Sequence, residues 1–129
     1  MKKLLSLSLI LLTIVSCSEN DTTSDPIIGK WNLITSFEGS VDVTNDCLKQ
    51  SYITFSENFS LKGEVIIEMN NECTSDDGPY SGTWSKQNTN NYSLSIDNSN
   101  SPIEISITNN NLIQVIEDSG SIVTTYKKQ

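Results

Sequence analysis

The side chains able to do chemistry in this chain are three cysteines and 16 carboxylates, because the sequence contains no histidine. A cysteine nucleophile needs a neighbouring base to form its thiolate, and histidine is the usual base. A structural zinc site needs four ligands, which Cys47 and Cys73 alone do not supply. The residue inventory therefore predicts neither cysteine catalysis nor a zinc site.

The carboxylates are the remaining candidates for acid–base or metal chemistry. Adjacent pairs occur at Asp76-Asp77 and at Glu117-Asp118, both within polar turn sequences. Hydrolysis of a glycoside requires one carboxyl with a raised pKa, whereas carboxylates in solvated turns remain ionised. No Asp-x-Asp-x-Asp spacing for calcium occurs in the chain. We therefore predict a protein that is not an enzyme and that carries no metal and no cofactor.

The third cysteine, Cys17, follows an N-terminal segment with the pattern of a bacterial secretion signal. Two lysines precede an apolar run over residues 4–15, which is shorter than the roughly 20 apolar residues of a membrane-spanning helix. The sequence IVSC at residues 14–17 resembles the lipobox of bacterial lipoproteins, whose cysteine is acylated after cleavage. The resemblance implies a signal peptide over residues 1–16 and a lipid on Cys17. The alternative is an ordinary signal peptide that contains a cysteine.

The segment after Cys17 is polar and acidic, with the sequence SENDTTSD. This composition predicts that residues 17–25 comprise the acylated cysteine and a flexible tether, followed by one domain over residues 26–129. Without residues 1–16, six lysines and 16 carboxylates remain, and the chain has no arginine. Nucleic-acid partners are therefore excluded, since proteins bind nucleic acids by neutralising phosphates. We predict a monomer held at the outer membrane by its lipid.

Assignment of Cys17 to a lipid leaves Cys47 and Cys73 as an even pair. Outside the cytoplasm, two remaining cysteines most often form a disulfide. Such a bond closes a loop of about 27 residues and stabilises the fold by roughly 3–4 kcal/mol in the chain-entropy model. We therefore predict a Cys47–Cys73 disulfide.

The body of the chain alternates apolar and polar residues with a period of two, which is typical of strands with one buried face. On the first predicted strand, Trp31, Leu33 and Phe37 share the inward face. On the seventh, the pair Ile113 and Val115 competes with its neighbours for that face, and the pattern leaves the choice open. The predicted strands lie at 29–37, 50–56, 61–69, 80–86, 92–97, 103–108, 112–117 and 121–127.

Short polar segments separate most of these strands and predict hairpin turns, for example at Asn109-Asn110. Two longer loops, at 38–46 and 70–79, each have one of the paired cysteines at their edge. Eight consecutive antiparallel strands are best arranged as an up-and-down barrel, because closure removes the exposed edges. We predict an all-β fold, a small eight-stranded antiparallel barrel, with a sandwich of two four-stranded sheets as the alternative.

The stretch Gly29-Lys30-Trp31 begins the first predicted strand and resembles the G-x-W signature of the lipocalins. In that family the tryptophan packs across the closed base of the barrel. Residues 26–129 also resemble the lipocalin-like domains of Bacteroidetes lipoproteins, through short motifs at 27–31, 46–47, 82–84 and 126–127. The resemblance implies that Gly29 and Trp31 mark the barrel base. The chain lacks the Thr-Asp-Tyr segment and the arginine of true lipocalins, so ligand transport is not implied.

Two functions remain open at the level of sequence. An eight-stranded barrel either holds one small ligand or is filled by its own side chains. The first function is a lipid-anchored lipoprotein that binds a small hydrophobic ligand. The second is a cell-surface or periplasmic module with a filled barrel, which contacts a protein or glycan through the loops 38–46 and 70–79. The residues predicted to line a ligand or fill the core are Phe37, Phe55, Trp84 and Tyr92.

Overall fold

The computed structural model of the protein describes residues 23–109 and 111–129. The predicted signal peptide and the predicted acylated Cys17 lie outside the described residues. The described chain forms β-strands and two short 3₁₀ turns, at Leu48–Gln50 and Asp118–Gly120. In chain order the strands are β1 (Gly29–Glu38), β2 (Val41–Asp42), β3 (Tyr52–Phe55), β4 (Ser60–Glu64), β5 (Ile66–Met69), β6 (Glu72–Ser75), β7 (Tyr80–Lys86), β8 (Asn91–Ile96), β9 (Ile103–Asn109), β10 (Leu112–Glu117) and β11 (Ile122–Lys128).

Eight of these strands close into one antiparallel barrel. Their order around the ring is β1, β3, β4, β7, β8, β9, β10 and β11, and β11 pairs with β1 to close it. Strand β2 folds back on the end of β1, and β5 pairs with β6 in a separate two-stranded sheet. The predicted eight-stranded barrel is confirmed. The alternative of two packed sheets is wrong, because the β1–β11 ladder leaves no gap between sheets.

Alternation along each strand decides which side chains enter the barrel. In β10, Ile113 and Val115 are buried whereas Ile116 is 45% exposed. The inward face that the sequence left open is therefore the one that carries Ile113 and Val115. Together the inward side chains form one core, whose buried members are Ile27, Trp31, Leu33, Ile53, Phe55, Leu61, Trp84, Tyr92, Leu94, Ile105, Ile107, Ile113, Val115 and Tyr126.

The third predicted strand, at 61–69, is wrong in its second half. Strand β4 ends at Glu64, and the chain then leaves the barrel as the β5–β6 hairpin, where Met69 is 54% exposed. Asn70 and Asn71 form its two-residue turn with φ values of 54° and 65°, the geometry that such a turn requires and asparagine tolerates. Alternation alone cannot separate one long strand from two short strands that belong to different sheets.

The predicted inward position of Phe37 is also wrong, because β1 contains a bulge. Leu33 pairs with Tyr126 and Thr35 pairs with Thr125, so Ile34 is an extra residue without a partner on β11. A bulge of one residue changes the phase of alternation beyond it. Ser36 is therefore buried, whereas Phe37 is 36% exposed.

The two ends of the barrel differ in what the strands place there. We call the end that holds Trp31, near the start of β1, the base. We call the end where β1 finishes, at Glu38, the mouth. The β5–β6 hairpin joins β4 to β7 at the mouth, because β4 runs toward the mouth and β7 begins there.

Candidate functional site

The base of the barrel is filled by aromatic side chains. Trp31, Phe55 and Tyr92 are fully buried, and Trp84 is nearly so. The ring centroid of Trp84 lies 6.3 Å from that of Phe55 and 5.9 Å from that of Tyr92, both edge to face. Such pairs stabilise by about 0.5–1.5 kcal/mol beyond the area they bury. Of the predicted ligand-lining residues, Phe55, Trp84 and Tyr92 thus lie in a packed layer.

The chain segment that precedes β1 covers this layer. Ile27 is fully buried, and its carbonyl oxygen accepts a hydrogen bond from Trp31 Nε1 at 2.7 Å. A buried indole N–H usually finds such a partner. Trp31 therefore lies across the base, where the resemblance places the lipocalin tryptophan, with Ile27 beneath it.

Asp25 joins this covering segment to the barrel wall. One carboxylate oxygen accepts hydrogen bonds from the Tyr92 hydroxyl at 2.6 Å and from the Ile27 amide at 3.1 Å, and the other pairs with Lys86 Nζ at 2.8 Å. Burial disfavours the charged carboxyl, but these hydrogen bonds outweigh it and hold the pKa of Asp25 below its usual value. Burial and the bond to Asp25 raise the pKa of the Tyr92 phenol. The pair is therefore a carboxylate and a neutral phenol.

Gly29 allows the last strand to cross the base. Its φ of 129° is accessible to glycine, and a Cβ at this position would lie 3.0 Å from Lys128 Cε. Lys128 Nζ donates a hydrogen bond to the Pro26 carbonyl at 2.8 Å and lies 5.3 Å from the centroid of the Trp31 ring. The ammonium and the ring attract each other. The end of β11 therefore fastens the segment that precedes β1.

The mouth half of the barrel, in contrast, contains an open cavity of about 900 Å³. This volume falls within the roughly 300–1,000 Å³ of small-molecule sites in proteins. None of the aromatic side chains that fill the base lines it. Its apolar lining consists of Leu33, Leu48, Ile53, Val65, Leu94, Ile96, Ile103, Val115 and Ile122, with Pro79 at the edge.

Hydroxyl groups interrupt these apolar walls. Ser36 and Thr124 are buried on the inner faces of β1 and β11, with Oγ and Oγ1 3.1 Å apart. Tyr80 and Tyr126 also line the cavity. Burial raises the pKa of both phenols, and the negative charge of Glu117 raises it further. All four groups are therefore neutral at physiological pH.

The charged side chains that line the cavity are all negative. The carboxylates among the lining residues are Glu38, Asp76, Asp77, Asp97 and Glu117, each with an exposed side chain. No lysine is among the described residues that line the cavity. The mouth therefore has a negative rim around an apolar interior.

A disulfide holds the structure beside the mouth. Cys47 and Cys73 are bonded, with their Cα atoms 5.1 Å apart, so the predicted disulfide is confirmed. The bond ties the 3₁₀ turn that begins at Leu48 to strand β6. Below it, the buried Ser51 accepts a hydrogen bond through Oγ from the Ile66 amide at 2.8 Å. These links fix the β5–β6 hairpin next to Leu48, which lines the cavity.

The comparison with protein families decides the family of this barrel. The model of the lipocalin-like domain matches residues 27–114, which run from the base cover into β10. The chain belongs to the lipocalin-like domain family. No curated protein matches its sequence. The Bacteroidetes lipoprotein type inferred from the sequence remains a prediction.

Solved structures similar to this lipocalin-like protein include a redesigned β-barrel and an odorant-binding protein. A redesigned β-barrel matches with a TM-score of 0.48 and 14% identity, over 82% of this chain and 94% of the other. The odorant-binding protein OBP1 matches with a TM-score of 0.45 and 12% identity, over 83% of this chain and 74% of its own. The strand ladders of the chain itself, closed by the pairing of β11 with β1, establish the barrel.

The described part of the lipocalin-like protein contains neither a cluster of metal ligands nor a membrane-spanning helix. Among residues 23–109 and 111–129, no three acidic or cysteine side chains come together to hold a metal ion. No helix within the same ranges is long and apolar enough to span a bilayer. The absence of catalysis remains a prediction from the sequence.

Sequence reasoning missed the side chains that line the cavity of the lipocalin-like domain. It selected large aromatic residues, and three of the four fill the base while Phe37 faces outward. The cavity is lined instead by aliphatic residues near the mouth ends of the strands, such as Leu94 and Val115. The alternation predicted that these residues point inward, but it could not predict the level at which each of them lies along the barrel axis.

Proposed function

We propose that this lipocalin-like protein binds a small apolar ligand in the mouth of its barrel. The open, apolar-walled cavity of about 900 Å³ carries the proposal. An eight-stranded barrel has an interior wide enough for one small ligand where its own side chains do not fill it. A ligand in this cavity would contact aliphatic side chains such as Leu33, Ile53 and Leu94.

The chemistry of the walls supports an apolar ligand of modest size. Burial of apolar surface contributes roughly 25 cal/mol per Å², and aliphatic side chains such as Leu33, Ile53 and Leu94 supply that surface. A few polar groups inside an apolar pocket fix the orientation of a ligand. Here the hydroxyls of Thr124 and Tyr126 are available for that role.

Binding can be tested with phenylnaphthylamine, an uncharged dye whose fluorescence increases in apolar surroundings. All members of the core lie between Ile27 and Tyr126, so the chain from residue 18 onward contains everything needed to fold and can be used. Ile96→Trp places a large side chain at the cavity, whereas Ile116→Trp adds the same side chain on the exposed face of β10. We expect the dye to bind the wild type, Ile96→Trp to weaken binding at least about tenfold, and Ile116→Trp to leave it unchanged.

Two results would contradict the proposal. The first is a wild-type titration without an increase in fluorescence. The second is an equal loss of binding in both tryptophan variants, which would place the dye outside the cavity.

We also propose that the protein is a bacterial lipoprotein anchored to the outer membrane through acylated Cys17. The lysines, apolar run and IVSC sequence of residues 1–17 support this. Cys17 precedes Asp25 by eight residues, and an extended chain covers at most about 3.5 Å per residue. Because Asp25 lies at the base, the lipid would be attached within about 28 Å of the base.

The anchor can be tested by metabolic labelling with palmitate in a bacterial host. We expect label and membrane association in the wild type and in Cys47→Ala, and loss of both in Cys17→Ala. Label that persists in Cys17→Ala would exclude the anchor at this residue. Fractionation of inner and outer membranes tests the location.

A second function, contact with a protein, is favoured by the β1–β2 hairpin at the mouth. Phe37, at the end of β1, is 36% exposed, and Val41, within the loop 38–46 predicted to carry recognition, is 64% exposed. Exposed apolar residues that cluster indicate interaction sites. If this function is correct, the variant with Phe37→Ser and Val41→Ser loses cross-linked partners on intact cells while its dye binding is unchanged.

A further inference from the structure

None of the described lysines lines the mouth cavity, and Lys49, which follows the lining residue Leu48, pairs with Asp46 at 3.4 Å. Lys86 pairs with Asp25, and Lys128 binds the Pro26 carbonyl, both at the base. Lys30 lies 4.6 Å from the centroid of the Tyr52 ring. None of these ammonium groups, and no other described lysine, lines the mouth cavity. An anionic head group in the cavity would therefore meet no positive partner.

The carboxylates have the opposite distribution. Glu38 at the end of β1, Asp97 after β8 and Glu117 at the end of β10 come from different parts of the ring, and Asp76 and Asp77 come from the loop after β6. Like charges around a concave, low-dielectric opening focus the potential and concentrate ions of the opposite sign. The mouth is therefore attractive to a cation before any contact forms.

A second feature, independent of the rim, points to a ligand. Tyr126 is only 6% exposed and lines the cavity, and its hydroxyl takes part in no side-chain hydrogen bond among the described residues. Tyr80, from β7, lines the same cavity as Tyr126 and Glu117. Buried phenols usually have a hydrogen-bond partner. These two phenols share the cavity with the carboxylate of Glu117.

Aromatic faces and a carboxylate are the groups that proteins use to bind ammonium ions. We propose that the ligand of the mouth cavity is a cationic amphiphile, with an apolar tail among the aliphatic walls and an amine or quaternary ammonium head beside Tyr80, Tyr126 and Glu117. The proposal rests on the function proposed above and names the class of its ligand. Fatty acids and other anionic amphiphiles are then poor ligands, because their head groups face five carboxylates and no cation.

The rim carboxylates are exposed, so their attraction for a cationic ligand must depend on the salt concentration. Exposed charges are screened beyond a Debye length of about 10 Å at 0.1 M salt and about 3 Å at 1 M. A preference that comes from the rim will therefore decrease at high ionic strength, whereas the contribution of the apolar tail will not.

The experiment compares three competitors that share one tail, decylamine, decanol and decanoate, for displacement of phenylnaphthylamine at neutral pH. We expect decylamine to displace the dye at a concentration at least about tenfold lower than decanoate, with decanol between them. In 1 M salt the difference should fall to about twofold or less. Equal or stronger displacement by decanoate would overturn the inference but not the binding function, whereas a dye that does not bind would overturn the function itself.

Charge variants locate the source of the preference. Glu117→Gln neutralises the carboxylate beside the two tyrosines, and Glu104→Gln removes the same charge from the exposed face of β9, outside the cavity. We expect Glu117→Gln to weaken displacement of the dye by decylamine about threefold to tenfold and to leave displacement by decanol unchanged. Glu104→Gln should change the displacement by neither competitor. An equal effect of both variants would assign the preference to net charge and overturn the site.

Discussion

The base and the mouth of this barrel are built from the same eight strands and have opposite interiors. The base is filled by Trp31, Phe55, Trp84 and Tyr92, and the chain segment before β1 covers it. The mouth is lined by smaller aliphatic side chains that enclose a cavity of about 900 Å³. A barrel of this size is thus filled or hollow according to the side-chain volume at each level along its axis.

The bulge in β1 contributes to this difference. Beyond Ile34 the inward position is occupied by Ser36, whose hydroxyl lies 3.1 Å from that of Thr124, while Phe37 faces outward. An aromatic side chain at that position would occupy part of the cavity. One unpaired residue in β1 therefore places the small hydroxyl of Ser36 inside the barrel in place of the Phe37 ring.

The two ends also differ in charge and in the bonds that hold them. At the base, Lys86 and Lys128 bind the segment that precedes β1. At the mouth, carboxylates surround the opening, and a disulfide fixes the neighbouring hairpin. The base is therefore a packed structural end, and the mouth is the end with space and unpaired charge.

The largest expected effect on stability is at the base, with Trp31→Ala. Removal of a fully buried tryptophan costs about 3–5 kcal/mol of unfolding free energy. Ile96→Ala is the comparison at the mouth, and we expect a cost of about 1 kcal/mol because this side chain already borders empty space. Urea unfolding measures both. Equal costs would show that the mouth is packed as tightly as the base.

The next effect concerns the disulfide. Replacement of both Cys47 and Cys73 by serine should cost about 2–4 kcal/mol, since the bond closes a long loop in the unfolded chain. Hydrogen exchange should accelerate most in the β5–β6 hairpin and least in β8, near Tyr92. Uniform acceleration of exchange through both regions would contradict the expectation that the disulfide stabilises the mouth more than the base.

The smallest expected effect on stability depends on pH and comes from Asp25. Its pKa is lowered in the folded state, so the stability it contributes is present above the unfolded value of about 3.9 and is lost as the pH falls through the folded pKa. Asp25→Asn should cost about 1–2 kcal/mol at pH 7, where it removes charged hydrogen bonds to Tyr92 and Lys86. Urea unfolding of wild type and variant at several pH values should give curves that converge in acid. A constant difference would refute the link to ionisation.

Several parts of the fold could be predicted because they depend on local pattern. The eight barrel strands, the disulfide and the position of Trp31 at the head of β1 follow from alternation, cysteine parity and a short motif. The boundary at Glu64 could not be predicted, since the apolar alternation continues through it. The outward position of Phe37 could not be predicted either, because the bulge is defined by pairing with β11, about 90 residues later in the chain.

The sequence by itself determined an all-β chain with period-two strands, a single cysteine pair suited to a bond, and an acidic balance that disfavours nucleic acid. These properties depend on neighbouring residues or on composition. Only the tertiary structure decided that Trp31, Phe55, Trp84 and Tyr92 gather at the base, that Ser36 replaces Phe37 inside, and that a cavity with a carboxylate rim remains at the other end. Side chains from eight strands meet at one height only when the ladders set their register, and that register is a property of the closed barrel.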